Sequence, residues 1–234
     1  MSQREPEKKK RPMKISVVIP TRDEEETLGE VIDGCRKYAD ELFVIDGHSR
    51  DRTREVAEKR GVKVYLDNKK GKGAALRMAI AKVTGDIIVF IDADGSHSPD
   101  DIPKLVAPII AGEFDHVTGS RGKGGSDELH GDIAKFVRMT GGDVLTLGIN
   151  YRYNVRLTDS QNGFRALRTD VARQLDLQED ITSIELEMIM KTLKKGFRIG
   201  EVPTHEYARK AGESKIKVWK VAPRYLYCWF KNLI

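Results

Sequence analysis

The sequence has no run of 18 or more apolar residues, and it contains only two cysteines among 234 residues. Without such a run, no segment is predicted to cross a bilayer as a helix, and the N-terminus shows no apolar segment of the kind found in signal peptides. Cys35 and Cys228 lie far apart and lack the spacing of metal ligands. We therefore expect two buried thiols in a reducing compartment, in a protein that does not span a membrane.

Two phosphate-binding signatures are also missing. The sequence contains no G-x-G-x-x-G motif, and the stretch GKGAAL lacks the Walker spacing. A dinucleotide cofactor and a P-loop are therefore not expected.

The remaining composition is that of a globular domain with a basic N-terminal segment. Hydrophobic residues make up 39% and charged residues 33% of the chain, which is long enough to bury a sizeable core. Part of the net charge of +5 comes from KKKRPMK, and we expect residues 1–13 to form a disordered basic tail. Because no DNA- or RNA-binding signature accompanies this tail, nucleic acid is not an expected partner.

The order of the predicted elements defines the fold class. From Ile15 to about Thr118, short β-branched apolar runs alternate with helical patterns, which predicts an α/β fold with a mostly parallel sheet flanked by helices. The second half is less regular. It contains a long helical pattern over 129–150, the polar loop TDSQNGFRA, a helix over 181–196 and one or two strands after it.

Two acids follow the apolar strand Ile87–Ile91. Asp92 and Asp94 are two residues apart, so both carboxylates project to the same side of the chain. At about 4 Å separation and an effective dielectric near 20, their repulsion would cost roughly 4 kcal/mol without a cation. A divalent ion held by carboxylates and waters is the usual partner of a substrate diphosphate, and a solvated acidic turn is the alternative.

Other strand ends add residues to the same edge of the sheet, where ligands of parallel sheets collect. Pro20 ends the first strand, Asp46 ends the second and could accept a hydrogen bond from a ribose or base, and Lys72 precedes a helix at a place suited to phosphate. One crevice could gather these residues with Asp92.

Seven motifs follow one another in a single order. They are VVIPTRDEEETL, VIDGHSRDRT, GKGAAL, IDADGSHSPDDIPKLV, VTGSR, TDSQNGFRAL and EYARKAGESK. This order resembles that of the family 2 inverting glycosyltransferases with the Rossmann-like GT-A fold, and it is most similar to the polyprenyl (dolichyl) phosphate mannose and glucose synthases. The resemblance covers nearly all of residues 15–215.

The resemblance implies a role for each matching position. It implies a DxD site for Mg²⁺ or Mn²⁺ at Asp92 and Asp94, and contacts to the acceptor phosphate at Arg121 and Arg138. It also implies binding of a nucleotide sugar by the first-half residues and by the RxxGxSK pattern, at Pro20, Glu24, Asp46, Lys72, Arg209, Ser214 and Lys215.

Two departures from the family pattern leave details open. Gly47 stands where many relatives have a second acid, so the preferred base and the donor remain open among GDP-mannose, UDP-glucose and UDP-N-acetylglucosamine. Ser96 occupies the place of a glutamine that joins the metal in mannose synthases. His97 is a substitute ligand or, as is commoner, a solvated loop histidine.

The nature of the acceptor depends on how Asp159 is interpreted. A hydroxyl acceptor needs a base, and Asp159 is the candidate. A phosphate monoester, with a second pKa of about 6, arrives deprotonated and needs positive charge instead, for which Arg121, Arg165 and Arg209 are favoured. Because related phosphate-directed synthases also carry an acid before GFR, we favour a positioning role for Asp159. Glu185 and Glu187 are weaker base candidates on a helix expected to have a solvated acidic side.

The C-terminal segment, residues 216–234, mixes aromatic and basic residues and is predicted to form an amphipathic helix beyond a catalytic domain of residues 14–215. Such a helix can lie in a membrane interface, or it can pack onto the sheet or onto a second subunit of a homo-oligomer. We expect a cytoplasmic enzyme that contacts the membrane peripherally. A soluble transferase acting on a hydroxyl, a nucleotidyltransferase and a non-catalytic scaffold are the alternatives.

Overall fold

The computed structural model describes residues 11–127, 133–210 and 218–233, and within these ranges seven strands form one sheet. The strands are β1 (Ile15–Thr21), β2 (Glu41–Asp46), β3 (Lys63–Leu66), β4 (Ile87–Phe90), β5 (His116–Ser120), β6 (Arg165–Arg168) and β7 (Ile199–Pro203). The helices are α1 (Leu28–Arg36), α2 (Thr53–Lys59), α3 (Lys72–Lys82), α4 (Ile102–Ile110), α5 (Arg121–Gly124), α6 (Ile133–Tyr153), α7 (Thr169–Gln174), α8 (Ile184–Lys194) and α9 (Val218–Leu233).

The strand order is β3-β2-β1-β4-β6-β5-β7. All neighbouring strands are parallel except at β6, which runs antiparallel to both β4 and β5. The predicted α/β fold with a mostly parallel sheet is confirmed. Strand β6 was not predicted, because its sequence was interpreted as part of a polar loop.

Alternating residues of the strands build a core on each face of the sheet. Val17 and Ile19 of β1 pack with α1 and α4 on one face, whereas Val18 packs with α3 and α8 on the other. Both cores are apolar and fully enclosed, so the sheet is a rigid platform for side chains at its edge.

Helix α9 packs against α6 and α8 through a third apolar cluster. The Trp229 ring lies directly over Gly148, where a Cβ would come within 2.1 Å of it, and its indole N–H donates to the Leu145 carbonyl at 3.1 Å. Cys228 is fully buried at this contact. No helix in the described ranges combines the length and the apolar character needed to cross a bilayer.

The basic tail expected over residues 1–13 lies mostly outside the described residues, which begin at Arg11. Arg11 forms an ion pair with Asp86 at 2.8 Å, and Met13 packs against the core. These contacts place at least Arg11 and Met13 with the folded domain.

Candidate active site

A cavity of about 770 Å³ opens where β4 and β5 end and β6 begins. Its polar wall comes from the segments after β4 and before β6, and its apolar wall comes from α6 and α9. The residues that carry its charge are Lys72, Asp92, Asp94, Arg121, Asp143, Asp159, Glu185, Glu206 and Arg209.

Lys72 links two carboxylates in the polar wall. Its ammonium lies 2.7 Å from Asp92 Oδ1 and 2.9 Å from Glu185 Oε1. Burial favours the neutral amine, but the two carboxylates outweigh it and raise the pKa of Lys72 above its ordinary value. Burial likewise favours neutral Asp92, yet the nearby Lys72 charge leaves the Asp92 pKa below its ordinary value. Both groups are therefore charged at neutral pH.

Glycines fix the position of Lys72 at the start of α3. A Cβ on Gly73 would lie 2.3 Å from the Glu179 carbonyl oxygen, so only glycine lets this turn approach the loop before α8 so closely. The Ala74 amide donates to the Asp180 carbonyl at 3.2 Å across the same contact. The loop and helix are thereby held together with Lys72 facing the acids.

Asp94 is buried and pairs with a different cation. Its Oδ2 lies 3.0 Å from an Arg209 guanidinium nitrogen. Its Oδ1 accepts hydrogen bonds from the Ser96 hydroxyl at 2.7 Å and from the Ser96 amide at 3.1 Å. Both acids of the DxD motif therefore line the cavity, each beside a positive charge.

Arg121 and Asp159 form a bidentate ion pair in the wall of the cavity. The guanidinium Nε lies 2.6 Å from Asp159 Oδ2, and NH2 lies 2.9 Å from Oδ1. Burial would raise the pKa of Asp159, but the Arg121 charge and its hydrogen bonds leave that pKa below the ordinary value. A general base near neutral pH needs the opposite shift, so this carboxylate is suited to orienting Arg121.

Arg165, expected at the acceptor phosphate, is fully buried at the start of β6. Its guanidinium donates to the Glu185 carbonyl at 2.8 Å and through Nε and NH2 to the Asn162 carbonyl. With no exposed surface, its side chain fastens the loop before β6 to α8. This geometry contradicts a direct contact between Arg165 and a phosphate.

Pro20, Glu24 and Asp46 lie at the same edge of the sheet but, unlike Lys72 and Asp92, do not line the cavity. Pro20 is next to Ile45 in the parallel register of β1 and β2, and Asp46 pairs with Thr21. Asp46 is fully buried and accepts hydrogen bonds from the hydroxyl and amide of Ser49. The Glu24 amide donates to Thr53 Oγ1 at 2.8 Å.

Three expected site residues are not described in full. Arg138 belongs to helix α6, but its side chain lies outside the described part of the chain, as do Ser214 and Lys215. Their roles stay predictions.

Three buried residues differ from their expected state, and two of them, His97 and Glu185, line the cavity. His97 is only 5% exposed and stacks on Phe164, with ring centroids 5.2 Å apart, so the solvated-histidine interpretation is wrong. Burial lowers the pKa of His97 and outweighs the nearby acids, which leaves a neutral ring. Glu185 and Glu187 are 3% and 1% exposed, so the expected solvated side of α8 does not exist.

The mouth of the cavity was not foreseen. Val144 from α6 and Trp219 and Leu226 from α9 line the cavity and are also strongly exposed. The aromatic residues of the C-terminal segment were noted in the sequence, but the sequence alone did not show that they lie at the mouth of the cavity. We call the exposed apolar side chains on these two helices the apolar rim. It consists of Val144, Leu147, Tyr151, Trp219, Leu226, Tyr227 and Phe230.

The sheet and the charged residues at its edge define a glycosyltransferase of the GT-A class. More particularly, the chain belongs to glycosyl transferase family 2, whose model matches residues 16–176. The family predicted from the ordered motifs is thereby confirmed.

Curated relatives agree with this assignment. The glycosyltransferase AglJ of Haloferax volcanii is 32% identical over 86% of this chain and 65% of its own length. The dolichol-phosphate mannosyltransferase of Pyrococcus furiosus is 35% identical over 88% of this chain and 60% of its own. The dolichyl-phosphate hexose transferase of H. volcanii is 28% identical over 86% of each protein. The chain thus spans under two thirds of the first two proteins.

A solved structure confirms the fold. Glucosyl-3-phosphoglycerate synthase from Mycobacterium tuberculosis, crystallised with Mn²⁺, UDP and phosphoglyceric acid, superposes with a TM-score of 0.78. The two sequences are 24% identical, and the match covers 94% of this chain and 78% of that one.

Proposed function

We propose that the chain transfers a hexose from a nucleotide sugar to a polyprenyl or dolichyl phosphate, with a divalent metal ion and with inversion at the anomeric carbon. The observation that carries the proposal is the bidentate pair of Arg121 and Asp159. It fixes a guanidinium whose third nitrogen, NH1, lies 3.4 Å from Glu206 Oε1 and would exchange that contact for an anionic acceptor, and it keeps the Asp159 carboxylate charged and occupied. The names of two relatives, from P. furiosus and H. volcanii, support a lipid phosphate acceptor.

A phosphate acceptor removes the need for a base. At neutral pH a phosphate monoester has largely lost its second proton, since that pKa is about 6. One of its oxygens forms the bond to the anomeric carbon, and the bond from that carbon to the diphosphate oxygen breaks. The nucleoside diphosphate leaves with the electron pair, and no proton has to be removed. Arg121 would orient the acceptor and offset repulsion between the two anions.

Asp92 and Asp94 fit a divalent ion by their chemistry. Both carboxylates follow the end of β4, and each already forms an ion pair with a basic side chain, Lys72 or Arg209. Among the described residues, no group of three or more His, Cys, Asp or Glu side chains is arranged to hold a metal. A pair of carboxylates completed by waters and substrate phosphates is the usual Mg²⁺ arrangement. When bound, the ion would neutralise charge that develops on the leaving diphosphate.

The other proposed contacts to the nucleotide sugar follow from where each residue lies relative to Asp92 and Asp94. Lys72 and Arg209 border the two acids and would exchange part of their ion pairs for diphosphate oxygens. Pro20 and Glu24 would contact the nucleoside further along the edge of the sheet, whereas Asp46, which has no exposed surface, would position the loop at Ser49 through its two hydrogen bonds. Ser214 and Lys215 would complete the diphosphate site, and Arg138 would assist Arg121.

The apolar rim suits a membrane surface. Exposed aromatic residues on α9 lie on one face, and exposed basic residues flank them, including Lys220 and Lys231. Rings at headgroup depth with cations beside phosphate are typical of helices lying in a membrane interface. Because the rim borders the cavity mouth, a lipid phosphate could enter the site while its tail stays in the bilayer.

Changing two rim residues should release the protein from vesicles. We expect the double variant Trp219→Ser, Phe230→Ser to bind phosphatidylglycerol–phosphatidylcholine vesicles at least about tenfold more weakly in a flotation assay. The reason is that two large apolar side chains would no longer be transferred from water into the membrane interface on binding. Ile110→Ser, which removes an exposed apolar side chain on α4, is the control and should bind normally. Unchanged flotation of the double variant would contradict membrane contact through the rim.

The test of the function is a donor and acceptor panel. GDP-mannose, UDP-glucose and UDP-N-acetylglucosamine, each labelled in the sugar, are incubated with the full chain and Mg²⁺ or Mn²⁺. Each is paired with a polyprenyl phosphate, with phosphoglycerate or with the corresponding dephosphorylated polyprenol. We expect label in the lipid fraction only with the polyprenyl phosphate. Transfer to the free alcohol or to phosphoglycerate instead would overturn the proposal.

A further inference from the structure

A second carboxylate faces Arg121 from the segment that follows β7. Glu206 Oε1 lies 3.4 Å from Arg121 NH1, and both side chains line the cavity. Both are mostly buried, with 13% of the Glu206 side chain and 19% of the Arg121 side chain exposed. One guanidinium thus faces two carboxylates, Asp159 and Glu206, and the net charge of these three side chains is −1. In this arrangement the three groups together do not attract an anion.

The two carboxylates differ in how firmly they hold the guanidinium. Asp159 binds it through two parallel contacts of 2.6 and 2.9 Å. Glu206 makes one contact of 3.4 Å, which is longer than most hydrogen bonds between nitrogen and oxygen. NH1 is therefore the guanidinium nitrogen that another anion can take most easily, and Glu206 is the partner that such an anion would displace.

The backbone at Glu206 is fixed, so its displacement from Arg121 needs only a rotation of the side chain. The Glu206 amide donates to the Gly125 carbonyl at 3.1 Å, and the Glu206 carbonyl accepts from the Asp127 amide at 2.8 Å. Glu206 Oε2 accepts from the Ser126 hydroxyl at 2.5 Å. The Ser126 hydroxyl can therefore keep one carboxylate oxygen bonded while the other leaves Arg121.

We propose that Glu206 is an internal competitor for Arg121, which holds the third guanidinium nitrogen when no acceptor is present and gives it up to an anionic acceptor group. The Glu206 carboxylate thereby lowers the affinity of the cavity for every anion that binds at NH1. An acceptor whose tail also packs against the apolar wall has additional binding energy to offset this competition, whereas inorganic phosphate has only its charged group. The identity of the displacing anion as a lipid phosphate rests on the proposed function.

The test measures anion binding by calorimetry at about pH 8, where a phosphate monoester is mostly a dianion. The ligands are geranyl phosphate, which is a short polyprenyl phosphate, inorganic phosphate, and the neutral alcohol geraniol. We expect Glu206→Gln to bind both phosphates about 3- to 10-fold more tightly than the unaltered chain, by the same factor, and geraniol equally well. Structural damage would weaken phosphate binding instead, so the two roles predict changes of opposite sign.

Glu206→Gln suits this test because its amide can keep the local hydrogen bonds. The amide oxygen can accept from Arg121, and the NH₂ group can donate to the Ser126 hydroxyl, which accepts as well as donates. Glu206→Asp keeps the charge but withdraws the carboxylate from NH1 by one methylene, so it should give a smaller gain, and it replaces Glu206→Gln if that variant is unstable. Glu113→Gln makes the same charge change at an exposed residue outside the cavity and should bind phosphate normally.

A double-variant cycle separates competition for Arg121 from general repulsion of anions. In the Arg121→Gln background there is no guanidinium to compete for. Adding Glu206→Gln to that background should therefore change the weak phosphate binding by less than about twofold. A gain of the same size in both backgrounds would show that Glu206 only repels anions, which contradicts the inference.

Three further results would overturn the inference. The first is unchanged or weaker binding of geranyl phosphate by Glu206→Gln with a normal thermal midpoint or, if that variant is unstable, by Glu206→Asp. The second is an equal gain in Glu113→Gln, and the third is no detectable binding of geranyl phosphate to the unaltered chain or to either Glu206 variant. The expected binding pattern without any sugar transfer would leave the inference standing and overturn the proposed function. Transfer to polyprenyl phosphate with unchanged binding in Glu206→Gln would do the reverse.

Discussion

Asp94→Asn should abolish measurable sugar transfer, with a loss of at least about 100-fold in kcat, because metal-assisted charge stabilisation is worth several kcal/mol in the transition state. The fold should persist, since the asparagine oxygen can still accept the two hydrogen bonds from Ser96. The measurements are the rate of label transfer to polyprenyl phosphate, its dependence on Mg²⁺ and Mn²⁺ concentration, and the thermal midpoint.

Asp100→Asn is the matched control for this experiment. Asp100 follows the same loop and pairs with Lys37 at 2.8 Å on an exposed surface outside the cavity. It should leave transfer unchanged. Near-normal transfer by Asp94→Asn, or undiminished transfer by the unaltered chain in buffer stripped of divalent ions, would contradict the metal assignment.

Arg121→Lys should lower kcat/KM for the polyprenyl phosphate by about 100-fold, since lysine keeps the charge but cannot form two parallel hydrogen bonds with Asp159 or grip a phosphate in the same way. Binding of the nucleotide sugar, measured by calorimetry, should change little, because the proposed contacts to it lie with Asp92, Asp94 and Lys72. The fall in kcat/KM should therefore appear when the concentration of the polyprenyl phosphate is varied.

Asp159→Asn separates the two interpretations of this pair. If Asp159 only orients Arg121, kcat/KM of this variant for the polyprenyl phosphate should fall about tenfold, and the shape of its pH profile between pH 6 and 9 should not change. If Asp159 were a base, the loss would reach about 10²- to 10⁴-fold and the acidic limb of the profile would disappear. Arg168→Lys, on an arginine outside the cavity, should be neutral to transfer in both cases.

The first half of the fold was predictable because each of its strands and helices shows a clear hydrophobic pattern within its own segment. Strands β1, β2 and β4 are apolar runs that end at Thr21, Asp46 and Phe90. A parallel sheet brings such ends, with the neighbouring Pro20 and Asp92, to one edge. The DxD acids and Lys72 were therefore found from the sequence and lie together in the cavity.

The second half was predicted less well because its structure depends on distant contacts. Strand β6 reads R-A-L-R, and a buried arginine at its start is stable only because the Asn162 and Glu185 carbonyls accept its hydrogen bonds. Glu185 is buried for the same kind of reason, since Lys72 from another helix neutralises it. A pattern within one segment contains no information about such partners.

The reversed direction of β6 changes where acceptor residues should be sought in related chains. A strand that runs against its neighbours brings its first residue, Arg165, beside Phe90 at the end of β4. The segment upstream of β6, with Asp159, therefore lies at the same cavity as Asp92 and Asp94, whereas the C-terminal end of β6 points to the opposite side of the domain. Under the proposed function, swapping that upstream stretch between homologous enzymes offers a route to altered acceptor use with the half that carries Asp92 and Asp94 left untouched.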